Sequence, residues 1–240
     1  MADDQLRPQT LDTIIGQDKI RRSLGIYIES AKIRKAPLDH VLLAGPPGLG
    51  KTTFAFAVAN GLGRHVVQAP GPALSIDLWH SLMWKLTRES FVVFVDEVHA
   101  IPKEVYEVLY SFLEDFSYQG RAYPPFTLIG ATTDPGKLPS PFRDRFGIRL
   151  SLDFYELPDI ETILTRSLGI LAPSMTADPG AISSLAIRSR GTPRVANMLL
   201  RRTIDVLVVQ AQVRITVELV DVAMEIAGVD RRGLTAIDRR

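Results

Sequence analysis

Short runs of apolar residues alternate with longer stretches in which apolar positions recur every three or four residues, and this alternation fills the first two thirds of the chain. The short runs, Val41 to Ala44, His65 to Gln68, Phe91 to Val95, Phe126 to Ala131 and Ile148 to Leu152, predict strands. Phe91-Val92-Val93-Phe94-Val95 has no polar position at all, as a parallel strand covered on both faces requires. The intervening periodicity predicts helices over about 17–35, 52–60, 75–87 and 102–113, which makes this part an α/β, doubly wound sandwich. Beyond Phe154-Tyr155 only helical spacing remains, over about 157–171, 178–189, 193–210 and 216–227. Pro193, after Gly191-Thr192, suits the first turn of a helix. A boundary near Leu157 therefore separates residues 1–156, the α/β core, from residues 157–240, a small helical bundle. Trp79, Met83 and Trp84 stand at helical spacing and predict core or interface packing.

The first predicted strand empties into Gly45-Pro46-Pro47-Gly48-Leu49-Gly50-Lys51-Thr52-Thr53, a G-x-x-x-x-G-K-[ST] loop at the start of a predicted helix. Glycines there let backbone N–H groups close around an anion that a Cβ would keep away. Lys51 is placed to reach the β and γ phosphates of a nucleotide, Thr52 to give its hydroxyl to Mg²⁺, and the helix start adds the positive end of its dipole. The loop reads as a clamp for ATP or ADP.

Bulk composition narrows the remainder. With 240 residues, 46% of them apolar, the chain has ample material for a core. No run approaches the roughly 18 apolar residues of a membrane span, and the first residues are acidic and polar where a signal peptide is basic and then apolar, so no membrane association and a cytoplasmic location are expected. Zero cysteines exclude disulfides, cysteine-ligated zinc and thiol catalysis. A net charge of +1 argues against coating nucleic acid by charge alone. Arg188, Arg190, Arg194, Arg201 and Arg202 form a local basic stretch, read as a solvated helix face with one or two arginines turned to phosphate.

The buried run 91–95 ends in Asp96-Glu97-Val98-His99. An acid at a strand end beside a phosphate loop can hold Mg²⁺ through water, and a second carboxylate can activate an attacking water. Asp96 is the magnesium candidate and Glu97 the general base; the plain alternative is an acidic pair opening a helix. The next strand ends in Thr132-Thr133, of which Thr133 is the candidate γ-phosphate sensor. In Ser140-Pro141-Phe142-Arg143-Asp144-Arg145, Arg145 is either a finger given to a neighbouring subunit or half of a surface pair with Asp144, and spacing alone leaves both open.

Arg7-Pro-x-Thr-Leu-Asp12, Ile15-Gly-Gln17, Leu38-Asp-His-Val-Leu-Leu43, the phosphate loop, Asp96-Glu-x-His99, Glu114-Asp-Phe116, Pro124-Pro-Phe-Thr-Leu-Ile-Gly-Ala-Thr-Thr133, Ser140-Pro-x-Arg-Asp-Arg-Phe-Gly147, Phe154-Tyr155 and Arg190-Gly-Thr-Pro-Arg194 together resemble the RuvB family, AAA+ motors of Holliday-junction branch migration. The resemblance runs through essentially the whole chain. It implies an AAA+ P-loop NTPase fold with an all-α lid, Leu6, Arg7 and Ile15 bordering the adenine, and Lys51, Thr52 and Thr53 on the phosphates. It implies Asp96 and Glu97 as the Walker B pair, Thr133 as sensor 1 and Arg145 as the finger acting in trans. Tyr155 becomes a hinge-side nucleotide contact, and Pro193 and Arg194 bring the second sensor from the lid.

Three positions depart from the family pattern. Where the family inserts a long β-hairpin that docks RuvA, this chain has only Ser117 to Tyr123, so a RuvA-type partner is doubtful. The segment Ala236 to Arg240 falls where the family's winged-helix DNA-binding domain begins, so that domain is expected to be missing. Ala100 stands where the family carries arginine. The expected activity is an ATPase of the RuvB type, a homo-oligomeric ring, hexameric in the expected case, working on DNA. The alternatives are a nucleotide-switched adaptor or loader acting on a protein partner, and a nucleotide-locked ring subunit that turns over slowly.

Overall fold

The computed structural model describes residues 5–87 and 91–235. The acidic leader at residues 1–4 and the segment Ala236 to Arg240 lie outside the described residues. By their contacts the residues form two units. The first comprises Pro8–Pro47 and Lys51–Leu152. The second gathers the described residues from Asp153 onward with Gly48–Gly50 and residues 5–7.

In the α/β unit five strands, β1 (Val41–Ala44), β2 (His65–Pro70), β3 (Phe91–Asp96), β4 (Thr127–Thr132) and β5 (Ile148–Ser151), form a sheet in the order β2-β3-β4-β1-β5. All pairs are parallel, with Val95 opposite Gly130 and Ala44 opposite Thr132. The helices are α1 (Asp18–Arg34), α2 (Lys51–Gly61), α3 (Ile76–Leu86), α4 (Lys103–Glu114) and one turn, α5 (Ser140–Arg143). Every residue of β4 is buried, as are the five of β3 before Asp96, because helices cover both faces. Helix α3 is capped by the Ser75 hydroxyl, which accepts from Leu78 N–H at 3.1 Å, and it turns Trp79 and Met83 into the core with Phe91, Phe112 and Phe126. Trp84 is not core: it is half exposed, with the Arg121 guanidinium 5.1 Å over its ring. The segment where the family hairpin is expected closes as a two-residue ladder, Ser117–Tyr118 with Arg121–Ala122.

The second unit carries α6 (Leu157–Leu171), α7 (Pro179–Arg188), α8 (Pro193–Val209) and α9 (Val217–Ile226). Pro193 does open α8. A two-residue parallel bridge, Thr176–Ala177 with Arg214–Ile215, joins the loops before α7 and α9, which helical spacing gives no means of predicting. Arg188 is a correction to the predicted solvated arginine face. It is buried and its guanidinium bonds Asp221 and the Ser184 hydroxyl, so its charge is consumed inside the unit. Arg202 is likewise paired, with Asp205 at 3.0 Å. Among the described residues no helix is long and apolar enough to cross a membrane.

His40, at the foot of β1, ties the sheet to α4. Its Nδ1 accepts the Leu128 N–H at 3.0 Å, which places the ring proton on Nε2, 3.2 Å from the Leu113 carbonyl. Burial pushes its pKa down from 6.5 to about 4, against smaller upward pulls from the Leu113 carbonyl and Asp39. The folded chain therefore refuses a proton that the unfolded chain accepts near pH 6.5. Its contribution is complete above pH 6.5 and falls away as the pH drops toward 4, by about 3 kcal/mol. Urea midpoints measured at pH 7 and pH 4 should differ less in His40→Asn than in the unaltered chain.

Candidate active site

The phosphate loop leaves the sheet where β1 ends. Gly45 N–H still donates to the Thr132 carbonyl at 3.1 Å, but its φ of 141° turns the chain away, and a Cβ there would lie 2.6 Å from the Leu152 carbonyl oxygen. Only glycine fits. Helix α2 begins at Lys51, whose side chain is drawn in so far that the residue is 7% exposed. Its Nζ donates to the carbonyls of Gly45 at 2.7 Å and Pro46 at 2.9 Å. Burial lowers the Lys51 pKa, and the charges of Glu97 and Asp96 hold it up. Thr52 and Thr53 follow, half-buried, on the first turn of α2, where the helix dipole favours an anion.

Asp96 ends β3, and its Oδ1 accepts the Glu97 N–H at 3.0 Å. Burial raises its pKa and the Glu97 charge adds to that, while the Glu97 N–H and Lys51 pull it down. Glu97 itself is left-handed, φ 52° and ψ 51°, a conformation that a side chain such as glutamate adopts at a cost on the order of 1 kcal/mol. It opens a three-residue 3-10 turn, Val98–Ala100, rather than a regular helix. Its Oε2 accepts from the Thr133 hydroxyl at 3.1 Å and lies 3.1 Å from His99 Nδ1. The same Nδ1 stands 2.9 Å from the Thr132 hydroxyl, whose oxygen accepts the Asp134 N–H at 3.0 Å. His99 thus bridges Glu97 to the end of β4. Gly71, which follows β2, presses its backbone against the same turn, since a Cβ there would meet the Glu97 carbonyl oxygen at 2.3 Å.

Arg145 follows α5. Its predicted alternative partner, Asp144, is committed elsewhere, to Arg149 at 3.2 Å and the Ser140 hydroxyl at 3.2 Å. The acid that holds Arg145 is Glu114, at the end of α4. The surface pair with Asp144 is therefore wrong: residues adjacent in sequence diverge as the helical turn ends, and the arginine folds back on α4.

Within the second unit, Leu49 is buried and its carbonyl accepts from the Tyr155 hydroxyl at 3.2 Å. The Gly48 carbonyl faces the Arg194 N–H at 3.4 Å, and Pro193 sits one residue earlier on the first turn of α8 with the Arg194 side chain exposed. Leu6 is buried and Arg7 half-buried; in the α/β unit Ile15 is half-buried beside the buried Ile14.

Among the described residues no three or more His, Cys, Asp or Glu side chains cluster to make a protein-only metal site. The donors present, a Thr52 hydroxyl and the half-buried Asp96 carboxylate, suit a hard cation that takes most of its ligands from phosphates and water. Sequence reasoning missed His99 as a bridge, Gly71 as a close approach and Glu114 as the partner of Arg145. Signals existed for two of these, since His99 and Glu114 stand in the quoted Asp-Glu-x-His and Glu-Asp-Phe motifs.

Two sequence profiles cover the chain: residues 6–152 match the Holliday junction DNA helicase RuvB P-loop domain, and residues 155–230 match the RuvB AAA lid domain. The chain belongs to the RuvB family. It is 44% identical to the Holliday junction branch migration complex subunit RuvB of Streptococcus uberis, over 98% of this chain and 73% of that one. To the subunit of the same name from Kosmotoga olearia it is 42% identical, over 98% and 72%. The solved RuvB Holliday junction branch migration motor of Thermotoga maritima superposes with a TM-score of 0.90 at 43% identity, over 98% of this chain and 77% of that one. The parallel sheet, phosphate loop and helical lid are thus those of a RuvB-type AAA+ ATPase.

Gly71→Ala tests the packing behind Glu97. The overlap with the Glu97 carbonyl must shift the left-handed turn, so urea unfolding should show a loss of about 2 kcal/mol. ATP turnover should fall more steeply than nucleotide affinity.

Proposed function

We propose that this chain hydrolyses ATP at interfaces between copies of itself in a ring, hexameric by analogy with its family, and couples the cycle to movement of DNA at Holliday junctions. The observation that carries the reading is the convergence on one sheet edge of Lys51, whose pKa responds to both Asp96 and Glu97, with Glu97 held by Thr133. Lys51 binds the β and γ phosphates, exchanging its two loop carbonyls for phosphate oxygens. Thr52 and Asp96 hold Mg²⁺, which neutralises charge on the transferred group. Glu97 takes a proton from the attacking water, Thr133 orients that water or the γ-phosphate, and Arg145 completes the site of the adjacent copy. Leu6, Arg7, Ile15, Gly45 to Thr53, Tyr155, Pro193 and Arg194 make up the remaining nucleotide contacts, with Arg194 as the second sensor. A cytoplasmic location is consistent with that activity.

The relatives are named as subunits of a branch migration complex. Because the hairpin that docks RuvA in the family is reduced here to Ser117–Tyr118 and Arg121–Ala122, we infer that a RuvA-type partner, if used, is held by other contacts. A protein-directed adaptor has no observation of its own in its favour, since both units match the motor's profiles.

Lys51→Ala should abolish nucleotide binding in a fluorescent-nucleotide titration, whereas Glu97→Gln should bind normally and lose turnover; equal loss of binding in both would refute these roles. Duplex or junction DNA should raise the ATPase rate, with binding that appears mainly on nucleotide-driven assembly and declines steeply with salt. An ATPase rate indifferent to DNA at every salt concentration would refute the motor reading.

A further inference from the structure

Arg145 is held more completely than an exposed arginine usually is. Its Nε donates to the Tyr110 carbonyl at 3.3 Å, Nη1 to the Pro141 carbonyl at 2.6 Å and Nη2 to Glu114 Oε2. The guanidinium also lies 4.8 Å over the Tyr110 ring. These bonds use three of the five N–H donors of a guanidinium and leave one on each terminal nitrogen, a fork matched to two oxygens of a phosphate.

We propose that Glu114, with Tyr110 one helical turn before it on α4, is the positioning residue that aims Arg145 at the nucleotide of a neighbouring copy. The proposal rests on the reading of Arg145 as a finger acting in trans. Stability does not account for the ion pair. The Glu114 side chain is 60% exposed, against 22% for Arg145, and a pair so open to water adds little to stability. Its consequence is orientation: an arginine loses much rotamer freedom when it docks, and here that ordering is complete before a neighbour arrives. Asp144 is unavailable to compete because Arg149 and Ser140 engage it. Glu114 touches no reacting atom in this scheme; it acts through Arg145.

The test uses the full chain under assembly conditions, with ATPase rates, ring formation by sedimentation and subunit mixing. Glu114→Ala should lower kcat about 100-fold, the scale set by a 1 Å misplacement of a catalytic group. KM for ATP, ring formation and the thermal midpoint should stay near those of the unaltered chain. Glu114→Gln, which keeps an acceptor oxygen, should recover part of the loss. Mixed with Lys51→Ala subunits, Glu114→Ala subunits should regain hydrolysis, because an intact finger then meets an intact phosphate loop. Mixed with Arg145→Ala they should not, because both lesions lie on the same donor side. A Glu114→Ala chain that hydrolyses normally overturns the proposal, as does one that Lys51→Ala fails to rescue while rescuing Arg145→Ala. If mixed rings form and Lys51→Ala rescues neither, the in-trans reading of Arg145 itself falls, and the role of Glu114 falls with it.

Discussion

The parallel ladder β3-β4-β1 is the constraint on which the rest of the site depends. Its register, Val95 opposite Gly130 and Ala44 opposite Thr132, brings three strands to an end at nearly the same level. The candidate site residues then emerge within one or two positions of the last hydrogen bonds: Gly45 and its loop, Asp96 and Glu97, Thr132 and Thr133. Strands buried on both faces cannot slip without exposing apolar side chains, so the hydrophobic interior sets the spacing of polar groups at the edge. A single-residue slip of β4 would move one threonine into the place of the other and break both contacts, that of Thr132 with His99 and that of Thr133 with Glu97.

Dehydration then gives those groups their character. Lys51 and Asp96 are both pushed toward their neutral forms by burial, and each is restrained by charges of the other set. At an effective dielectric near 20, opposite charges a few ångströms apart attract by about a few kcal/mol, which offsets part of the cost of burying them, and burial remains the larger effect on both groups. Such a site gains from an incoming anion and cation together more than from either alone. A nucleotide triphosphate with its divalent ion is a ligand of that description, and in this structure the carbonyls of Gly45 and Pro46 hold the lysine at the loop.

Legibility followed the range of each interaction. The strand Phe91–Asp96 was readable because an unbroken apolar run has few other homes, and the helix at Pro193 because a proline after Gly-Thr is a local signal. The phosphate loop was readable for the same reason, its glycines being required by backbone geometry within the loop. Interactions between residues far apart in sequence left no such mark. Glu114 and Arg145 are separated by 31 positions and His99 and Thr132 by 33, and no periodicity links them. The two-residue bridge at Thr176 and Arg214 is too short to have a pattern, and the burial of Arg188 depends on an aspartate on another helix. Trp84 carried a correct helical spacing, yet spacing does not say which side of a helix a ring at its border will take.

Glu97 and Arg145 are each fixed twice, by the turn that carries the residue and by a partner remote in sequence. For Glu97 the second anchor has a chemical limit. Thr133 has one hydroxyl proton, and in this structure it is given to Glu97 Oε2. A phosphate oxygen or a water that accepts that proton takes it from the carboxylate, which then keeps only the neighbouring His99 nitrogen, itself shared with Thr132. The carboxylate of Glu97 and an incoming oxygen are consequently alternative partners of Thr133, because its one hydroxyl proton can be donated to either but not to both at once. Through that shared hydroxyl the placement of the Glu97 side chain and the contact that Thr133 makes are set together.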